Sequence, residues 1–178
     1  SFARQGVHNF FGNLSDVWSA VNNGLAGRKK ETGDSISRVF VNTTVGVLGL
    51  FDVATELKIE RHKADFGTTL GRWGVQPGPY VVLPLLGPNT LRGVAAFPVD
   101  YSANLTNQFT EAATRDTLTL LNVIDTRATY LGASNAVDGA ALDGYSFIRD
   151  VYLQRQRYLQ YDGNPPDEDP PADGEPQP

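Results

Sequence analysis

Cysteine and methionine are both missing from this chain of 178 residues. Without cysteine, these residues can form no disulfide and no thiolate metal site. Because Ser1 is not a methionine, it is not a translation start, and we expect an upstream segment to have been removed. The two histidines, His8 and His62, are too few for a zinc site without carboxylate ligands, so neither a metal site nor a cofactor is predicted.

Long apolar runs are missing as well. No run approaches the roughly 20 residues that a helix needs to cross a bilayer. Catalytic signatures are also scarce: the chain has no G-x-S-x-G elbow, and "DFG" at 65–67 lacks the glycine-rich loop, strand lysine and H-R-D loop of a kinase. We interpret Asp65 as a helix cap. His8 and His62 are interpreted as residues of exposed linkers, with hydrolase chemistry as the alternative.

Acidic charge is concentrated at one end of the chain. Six acidic residues and no basic residue follow Tyr161, and without them the net charge of −5 becomes +1. The proline-rich stretch 162–178 therefore predicts a disordered or extended tail after a folded domain over residues 1–161. Because that domain is nearly neutral, it has no general attraction for nucleic acid, and no nucleic-acid partner is predicted.

The folded domain is predicted to be mostly helical, in short pieces. A first helix is expected from an N-cap at Ser15 to about Ala26, with Gly27 ending it. A second helix, capped by Asp34, is apolar on nearly every side, and such a helix is either buried in protein or faces lipid. Its apolar residues include Ile36, Val39, Phe40, Val47, Leu48 and Phe51.

Further helices are predicted along the rest of the chain. They begin at Asp65, near Pro88, at about Glu111 and at Asp143, and the third of these runs to about Ala133. Three arginines of the last helix, Arg149, Arg155 and Arg157, could face phosphate groups, since guanidinium forks suit phosphate geometry. A solvated helix face is the alternative.

The segment Gly74–Pro88, "GVQPGPYVVLPLLGP", combines apolar residues with glycine and proline. Proline removes backbone donors and glycine permits sharp reversals, so the segment can be neither a long helix nor a central strand. A restricted apolar loop of this kind either packs against a protein core or presents its surface to a partner. Its central residues are Val81, Val82, Leu83, Pro84, Leu85 and Leu86.

Four blocks of the sequence occur in an order that resembles one protein family. They are "NFFGNL" (9–14), "RVFVNTTVGVLGLFDVA" (38–54), "DFGTTLGRWGVQPGPYVVLPLLGPNTLR" (65–92) and "YSFIRDVYLQRQRY" (145–158). This pattern, which covers about residues 2–158, is similar to the MlaA family, also called VacJ, of outer-membrane lipoproteins in Gram-negative bacteria. The third block, with its run of D-F-G-x-T-L-G, G-P-Y and L-P-x-x-G-P, is the most specific.

The resemblance implies a non-enzymatic phospholipid transporter with an all-α fold. Its short amphipathic helices would form a ring in the periplasmic leaflet of the outer membrane, around a central amphipathic pore. Phospholipid misplaced in the outer leaflet would pass through the pore to a soluble periplasmic lipid-transfer protein, so that the membrane keeps its asymmetry. Trimeric porins would hold the protein in place. The lipid anchor of the family would lie upstream of Ser1.

The resemblance also suggests roles for particular residues. We expect the loop Pro79–Pro88 to contact lipid or gate the pore, with Pro84 preventing it from joining a sheet. Helices that are apolar outward, with Arg, Asn, Thr and Gly inward, would form the wall. Asn9 and Phe10 would set how the first helix seats against the others. A phospholipase-like hydrolase and a structural porin adaptor are the competing functions, and the tail is expected either to contact the lipid carrier or to be solvated.

Overall fold

A computed structural model describes residues 2–84, 87–140, 143–161 and 163–166. These ranges are mostly helical, which confirms the predicted all-α class. They also contain one small hairpin of two strands. The predicted tail, apart from residues 163–166, lies outside the described residues. In chain order the elements are α1 (Phe2–Leu25), α2 (Lys29–Thr44), α3 (Val53–Glu56), α4 (Phe66–Arg72), β1 (Tyr80–Leu83), β2 (Gly87–Thr90), α5 (Leu91–Ala103), a 3₁₀ helix (Leu105–Gln108), α6 (Ala112–Ala140) and α7 (Gly144–Gln160).

The first two helices, α1 and α2, form a helical hairpin. Only residues 26–28 connect them, and a connection this short places two helices side by side. Gly27 has φ +74°, so it ends α1 in the left-handed conformation, as predicted. The predicted cap at Ser15 is wrong, because α1 already begins at Phe2. Asp34 is likewise inside α2 and does not cap it.

Polar residues, and few apolar ones, occupy the interior. Among the described residues the buried apolar ones are Phe11, Ala54 and Ala96, and Phe40 on α2 is 67% exposed. Water-soluble proteins have the opposite distribution. Such an arrangement suits an exterior in contact with hydrocarbon. The largest fully buried side chains are those of Arg38, Asn22, Asn23, Asn42, Thr69, Asp16 and Ser35.

The long apolar helix predicted after Asp34 is interrupted. Helix α2 ends at Thr44, and residues 45–50 form a turn in which Val47 and Leu48 have φ values of 52° and 57°. Gly46 is required there, since a Cβ on it would lie 2.2 Å from the carbonyl oxygen of Phe51. Therefore Ile36, Val39 and Phe40 lie on a helix, whereas Val47, Leu48 and Phe51 lie in the following turn and bend. We call the exposed apolar residues of this region the apolar tip: Val45, Val47, Leu48, Leu50 and Phe51.

The proline-rich segment forms an antiparallel hairpin, so the prediction that it stays out of any sheet is wrong. Strands β1 and β2 pair from Tyr80 with Thr90 to Leu83 with Gly87. Pro84 follows the last pair and thus lies outside the ladder, and Pro88 is tolerated because each strand of a two-stranded sheet is an edge. Leu85 and Leu86 lie outside the described residues.

Side-chain caps start the helices of the second half of the chain. Asp65 Oδ1 accepts a hydrogen bond of 2.6 Å from the backbone N–H of Thr68, which confirms the predicted cap of α4. Asp143 caps α7, also as predicted. Helix α5 begins three residues after Pro88, with Thr90 as its cap, and α6 extends to Ala140, beyond the predicted end near Ala133.

Candidate functional site

A cavity of about 570 Å³ lies between α1, the segment 57–65, α4, β2, α5, the 3₁₀ helix, α6 and α7. Each of these elements contributes lining residues, so the cavity is surrounded by parts of the chain that are distant in sequence. Its lining is chemically mixed. Apolar groups include Phe11, Leu14, Trp18, Phe97 and Leu105, and charged groups include Arg61, Lys63, Arg92, Asp65, Asp100 and Asp125.

The cations of the cavity are only partly neutralised. Among the described residues Lys63 has no carboxylate within ion-pair distance. Lys63 is exposed, and its partial desolvation in the open cavity, together with the nearby charges of Arg61 and Arg155, lowers its pKa. Arg92 is 6% exposed and donates to the carbonyl oxygen of Val75 at 2.7 Å, and its burial lowers its pKa. Lys63 and Arg92 therefore present positive charge that a phosphate group could neutralise.

Two carboxyl groups lie elsewhere in the cavity lining. Asp100 accepts hydrogen bonds from Trp18 Nε1 at 2.7 Å and from the backbone N–H of Phe66 at 2.8 Å. Burial of Asp100 nevertheless raises its pKa, because the charged form is desolvated. Asp125 lies 2.9 Å from His8 Nδ1. The cavity therefore carries groups of both charge signs, which suits a ligand with both phosphate and ammonium groups.

A buried cluster of four charges fixes one side of this cavity. Arg38 Nη2 donates to Asp52 Oδ1 at 2.7 Å, and Arg38 Nε donates to Asp16 Oδ2 at 3.4 Å. Arg61 Nε donates to the same Asp16 oxygen at 3.1 Å. Gly12 permits this approach, since a Cβ there would lie 3.1 Å from Arg61 Nη1. The cluster joins α1, α2 and the segment that carries Arg61 and Lys63.

Of the residues predicted to form an apolar loop, Val81, Val82 and Leu83 lie on β1, beside the cavity lining, and Pro84 follows that strand. Val81 and Leu83 are half-buried, and Val82 is 54% exposed. The cavity is instead lined by Asn89 and Thr90 of β2. Tyr152 holds the hairpin against α7 by donating to Asn89 Oδ1 at 3.2 Å. The role predicted for Val81, Val82, Leu83 and Pro84 in lipid contact or gating stays a prediction.

The three predicted headgroup arginines lie on α7, whose cavity-lining residues are Tyr152 and Gln156. Arg149 donates to the neighbouring Asp150 at 3.0 Å, and Arg157 donates to the carbonyl oxygen of Pro166. Arg155 is exposed, but its charge acts on Lys63 in the cavity. Contact of these arginines with headgroups also stays a prediction.

The residues predicted to seat the first helix lie inside α1. Asn9 Nδ2 donates to the carbonyl oxygen of Leu50 at 3.0 Å, and the Phe10 ring lies 5.4 Å from that of Phe11. The seating role agrees with these contacts and stays a prediction. The histidines are not in exposed linkers as expected. His8 is part of α1 and bonds Asp125, and half-buried His62 lies 3.0 Å from Asp34.

Sequence reasoning missed the charged cavity residues Arg61, Lys63, Arg92 and Asp100. One usable signal was present in α1, where polar residues recur at helical spacing and become buried. They are Asn9, Asn13, Asp16, Ser19, Asn22 and Asn23. No comparable periodicity exists in the irregular segment 59–65, so nothing in the sequence indicated where Arg61 and Lys63 would point.

Across the described ranges, none of the helices has the length and apolarity that a membrane crossing requires. The family model described as MlaA lipoprotein matches residues 1–159. The intermembrane phospholipid transport system lipoprotein MlaA of Escherichia coli K12 is 34% identical over 174 residues, which cover 96% of this chain and 68% of that protein. An uncharacterized protein of Rickettsia bellii is 35% identical over 89% of this chain, and this chain spans 63% of its length, just under two thirds.

A solved structure also resembles this chain. It is described by the words "Structural basis for maintenance of bacterial outer membrane lipid asymmetry" and matches with a TM-score of 0.73 and 33% sequence identity. The match covers 89% of this chain and 80% of the other.

Proposed function

The chain belongs to the MlaA lipoprotein family, and from this premise we propose that it carries phospholipids out of the outer leaflet of the outer membrane. The cavity between α1 and α4–α7 is the proposed passage. The relatives named as components of intermembrane phospholipid transport support this assignment, as does the similar structure described in terms of lipid asymmetry. The proposal includes two further points: the helices form a ring in the periplasmic leaflet of the outer membrane, and a lipid anchor attaches the protein to that membrane.

One observation carries the proposal: a cavity lined by charged and apolar groups lies within a body that exposes many large apolar side chains and, among the described residues, buries mainly polar ones. A phospholipid that moves between leaflets must keep its acyl chains from water, at about 0.8 kcal/mol for each methylene. Its charged headgroup must also avoid hydrocarbon, where desolvation costs at least several kcal/mol. A passage with both kinds of group reduces both costs.

Within the cavity, we assign the headgroup phosphate to the cations Lys63 and Arg92. Arg155 contributes at longer range, and Arg149 and Arg157 are proposed to meet headgroups elsewhere along α7. An ammonium group of the lipid would be attracted by Asp100 and Asp125. The β1–β2 hairpin is proposed to contact acyl chains through the exposed Val82 and its neighbours, since the cavity side of that hairpin is polar.

Two kinds of protein partner complete the proposal. Hand-off to a soluble periplasmic lipid-transfer protein is supported by the words "intermembrane phospholipid transport system" in the names of relatives. Attachment to trimeric porins rests on the family resemblance, and the apolar groove between α1 and α2 is a suitable surface for a membrane-embedded partner or lipid. This groove is lined by Val17, Ala20, Val21, Ile36, Val39, Phe40, Thr43 and Thr44.

A hydrolase is the second candidate function, because His8 and Asp125 form a pair in the cavity lining. Ser15 also lines the cavity and is the nearest serine of α1. Ser15 lies seven positions after His8 on this helix, which corresponds to about 10.5 Å along the axis. A catalytic base must lie within about 3 Å of its nucleophile, so this pairing does not support hydrolysis. We therefore propose that the protein is not an enzyme.

The proposal is tested by filling the cavity. Ser15→Trp places an indole in the cavity lining, whereas Ser37→Trp adds the same group at an exposed position of α2 outside it. Each variant is expressed in Gram-negative cells that lack their own copy of the protein. Outer-leaflet phosphatidylethanolamine is then measured with a membrane-impermeant amine reagent.

Transport through the cavity predicts several-fold more labelled lipid with Ser15→Trp than with the unchanged chain, and no increase with Ser37→Trp. Equal labelling for the two tryptophan variants, at comparable protein levels, would contradict the proposed passage. His8→Gln is included to test chemistry. We expect this variant to transport lipid at the normal rate. Complete loss of transport would favour the hydrolase.

A further inference from the structure

Away from the cavity, three side chains with metal-binding atoms converge beside the start of α2. They are Asp34 of α2 with Glu60 and His62 of the segment between α3 and α4. His62 Nε2 lies 3.0 Å from Asp34 Oδ2 and 3.7 Å from Glu60 Oε2. One ligand atom from each of the three residues lies within 4.8 Å of the other two.

Contacts outside the cluster hold His62 in place. The backbone carbonyl oxygen of His62 accepts a hydrogen bond of 3.0 Å from the side-chain amide of Asn23, which is fully buried. Asn23 is in turn bonded by Arg28 at 2.9 Å. Asp34 lies in the interior of α2 and is fixed by that helix. Two of the three donors are therefore positioned by the fold, and only Glu60 has a largely exposed side chain, at 70%.

The direct contacts leave this group incompletely satisfied. A single imidazole N–H can point at one carboxylate oxygen, yet two carboxylates approach the same nitrogen. Ligand atoms bound at about 2.0–2.2 Å to one ion lie about 3.0–3.5 Å apart, which is close to the two separations observed. We propose that Asp34, Glu60 and His62 bind a divalent transition-metal ion, with Zn²⁺ as the preferred ion, because imidazole combined with carboxylate favours such metals over Ca²⁺ and Mg²⁺.

Lys30 lies at the edge of this cluster. Its Nζ lies 3.7 Å from Glu60 Oε2, and it is four residues before Asp34 on the same face of α2. Without metal, this ammonium partly neutralises Glu60. With metal bound, the two cations repel each other. Removal of Lys30 therefore separates two interpretations of the cluster. If the cluster binds metal, the removal should tighten metal binding. If the cluster is only a group of ion pairs, the removal should weaken it.

An occupied site would link the cluster to the cavity. Arg61 lies between Glu60 and His62 in the sequence, and Lys63 comes directly after His62. An ion bound to Asp34 would thus fasten the segment that carries two cavity cations to α2. This consequence does not require the proposed transport function, and the binding test below is independent of lipid.

The test uses the full chain without a histidine tag, stripped with a chelator that is then removed, and titrated with ZnCl₂ in a calorimeter. One saturable site is expected. His62→Gln should weaken binding about tenfold or more, since even the loss of a residue that only hydrogen-bonds a metal ligand costs about 10–100-fold in affinity. Lys30→Gln should tighten it. His8→Gln is the matched control, because it changes the other histidine and its carboxylate pair, and it should bind as the unchanged chain does.

Cobalt(II) absorption gives a second readout that a misfolded variant would not mimic. The unchanged chain is expected to develop visible d–d bands that Zn²⁺ abolishes, and Glu60→Gln should reduce them while the far-ultraviolet circular dichroism stays unchanged. The proposal is overturned if the unchanged chain shows no saturable zinc binding or if His62→Gln binds equally well. Weaker binding by Lys30→Gln would also overturn it, because that result identifies an ion-pair cluster.

Discussion

At the scale of single residues, Arg38 and its partners determine whether the interior is stable. Arg38 is 1% exposed and contacts Asp16, Asp52 and Thr55, and it also donates to the backbone carbonyl of Ile59. Two arginines and two carboxylates share this cluster, so their formal charges cancel. A buried group of this kind is stable only while every member keeps its partners.

Replacement of Arg38 by methionine should therefore be strongly destabilising. The change removes one of the two cations that contact Asp16 and the nearer cation of half-buried Asp52, and breaking a buried pair costs about 3–5 kcal/mol. The free energy of unfolding can be measured by chemical denaturation in detergent micelles. Arg149→Met is the control. Arg149 bonds the adjacent exposed Asp150, and loss of such a surface pair should change the free energy of unfolding by about 0.5 kcal/mol or less. Equal losses for the two variants would contradict this account.

Asp52 makes part of the stability dependent on pH. Burial disfavours its carboxylate, but hydrogen bonds from Thr55 and Asn42 and the charges of Arg38 and Arg61 outweigh this and lower its pKa. A carboxyl group with a lowered folded-state pKa contributes stability near neutral pH and loses it as the pH falls through that pKa. The contribution is therefore lost in the acid range, below the usual pKa of an aspartate.

We expect Asp52→Asn to be less stable than the unchanged chain at pH 7 and to lose less stability on acidification. Unfolding free energies between pH 7 and pH 3 would measure the difference between the two proteins. A difference that stays constant across this range would exclude a role for Asp52 ionisation.

At the scale of elements, local capping and glycine positions decide where helices begin and end. Asp65, Thr90 and Asp143 each accept a backbone hydrogen bond at the start of a helix. Gly46 and Gly49 permit the turn after α2, and Gly49 there has φ +88° and would clash with Asn13 if it carried a Cβ. The caps at Asp65 and Asp143 depend on neighbouring residues, so sequence reasoning located them correctly.

Asp65→Ala should destabilise the protein by about 1 kcal/mol, because an alanine N-cap leaves a backbone donor of α4 unsatisfied. Asp65→Asn is the matched variant, since asparagine caps helices about as well as aspartate and should cost only a few tenths of a kcal/mol. Thermal unfolding followed by circular dichroism would rank them. If the asparagine variant loses as much as the alanine variant, the charge of Asp65 matters and capping does not explain its role.

At the scale of the whole molecule, many large apolar side chains of the described residues are exposed, and most of the buried side chains are polar. The exposed apolar tip lies at the end of α2 that is distant from Lys29 and Lys30, and Phe2 stacks 5.8 Å from Phe51 beside it. A helical hairpin with one apolar end and one charged end should insert its apolar end into a bilayer. The polar interior then remains intact, since it is satisfied by its own hydrogen bonds.

Leu48→Asp should weaken association with lipid vesicles without unfolding the protein. Leu48 is 66% exposed, and burial of a leucine in hydrocarbon contributes about 1.5–3 kcal/mol, so the partition coefficient should fall about tenfold or more. Vesicle flotation measures the bound fraction. Asn164→Asp introduces the same negative charge at an exposed polar position and should leave binding nearly unchanged. Equal flotation of both variants would show that the apolar tip does not insert.

The sequence by itself determined the local features of this protein. Its composition and periodicity predicted a mostly helical chain, the caps at Asp65 and Asp143 and the end of α1 at Gly27, and its four blocks identified the family. These depend on a few neighbouring residues. The end of α2 at Thr44 was mispredicted because the turn that follows it packs Gly49 against Asn13 of α1, which is distant in sequence. The β1–β2 hairpin was mispredicted because Pro84 follows the last pair and so does not interrupt the ladder.

Only the tertiary structure decided which faces point inward and which charges meet. Helical periodicity shows that a helix has two unlike faces, but it does not show which one is buried when the surroundings are hydrocarbon. Arg61, Lys63, Arg92 and Asp100 come together because the segment 57–65 and α5 are folded around one cavity. Burial of the polar faces of α1 and α2 follows from the same cause: buried charges and amides are stable only where partners from several elements satisfy them together.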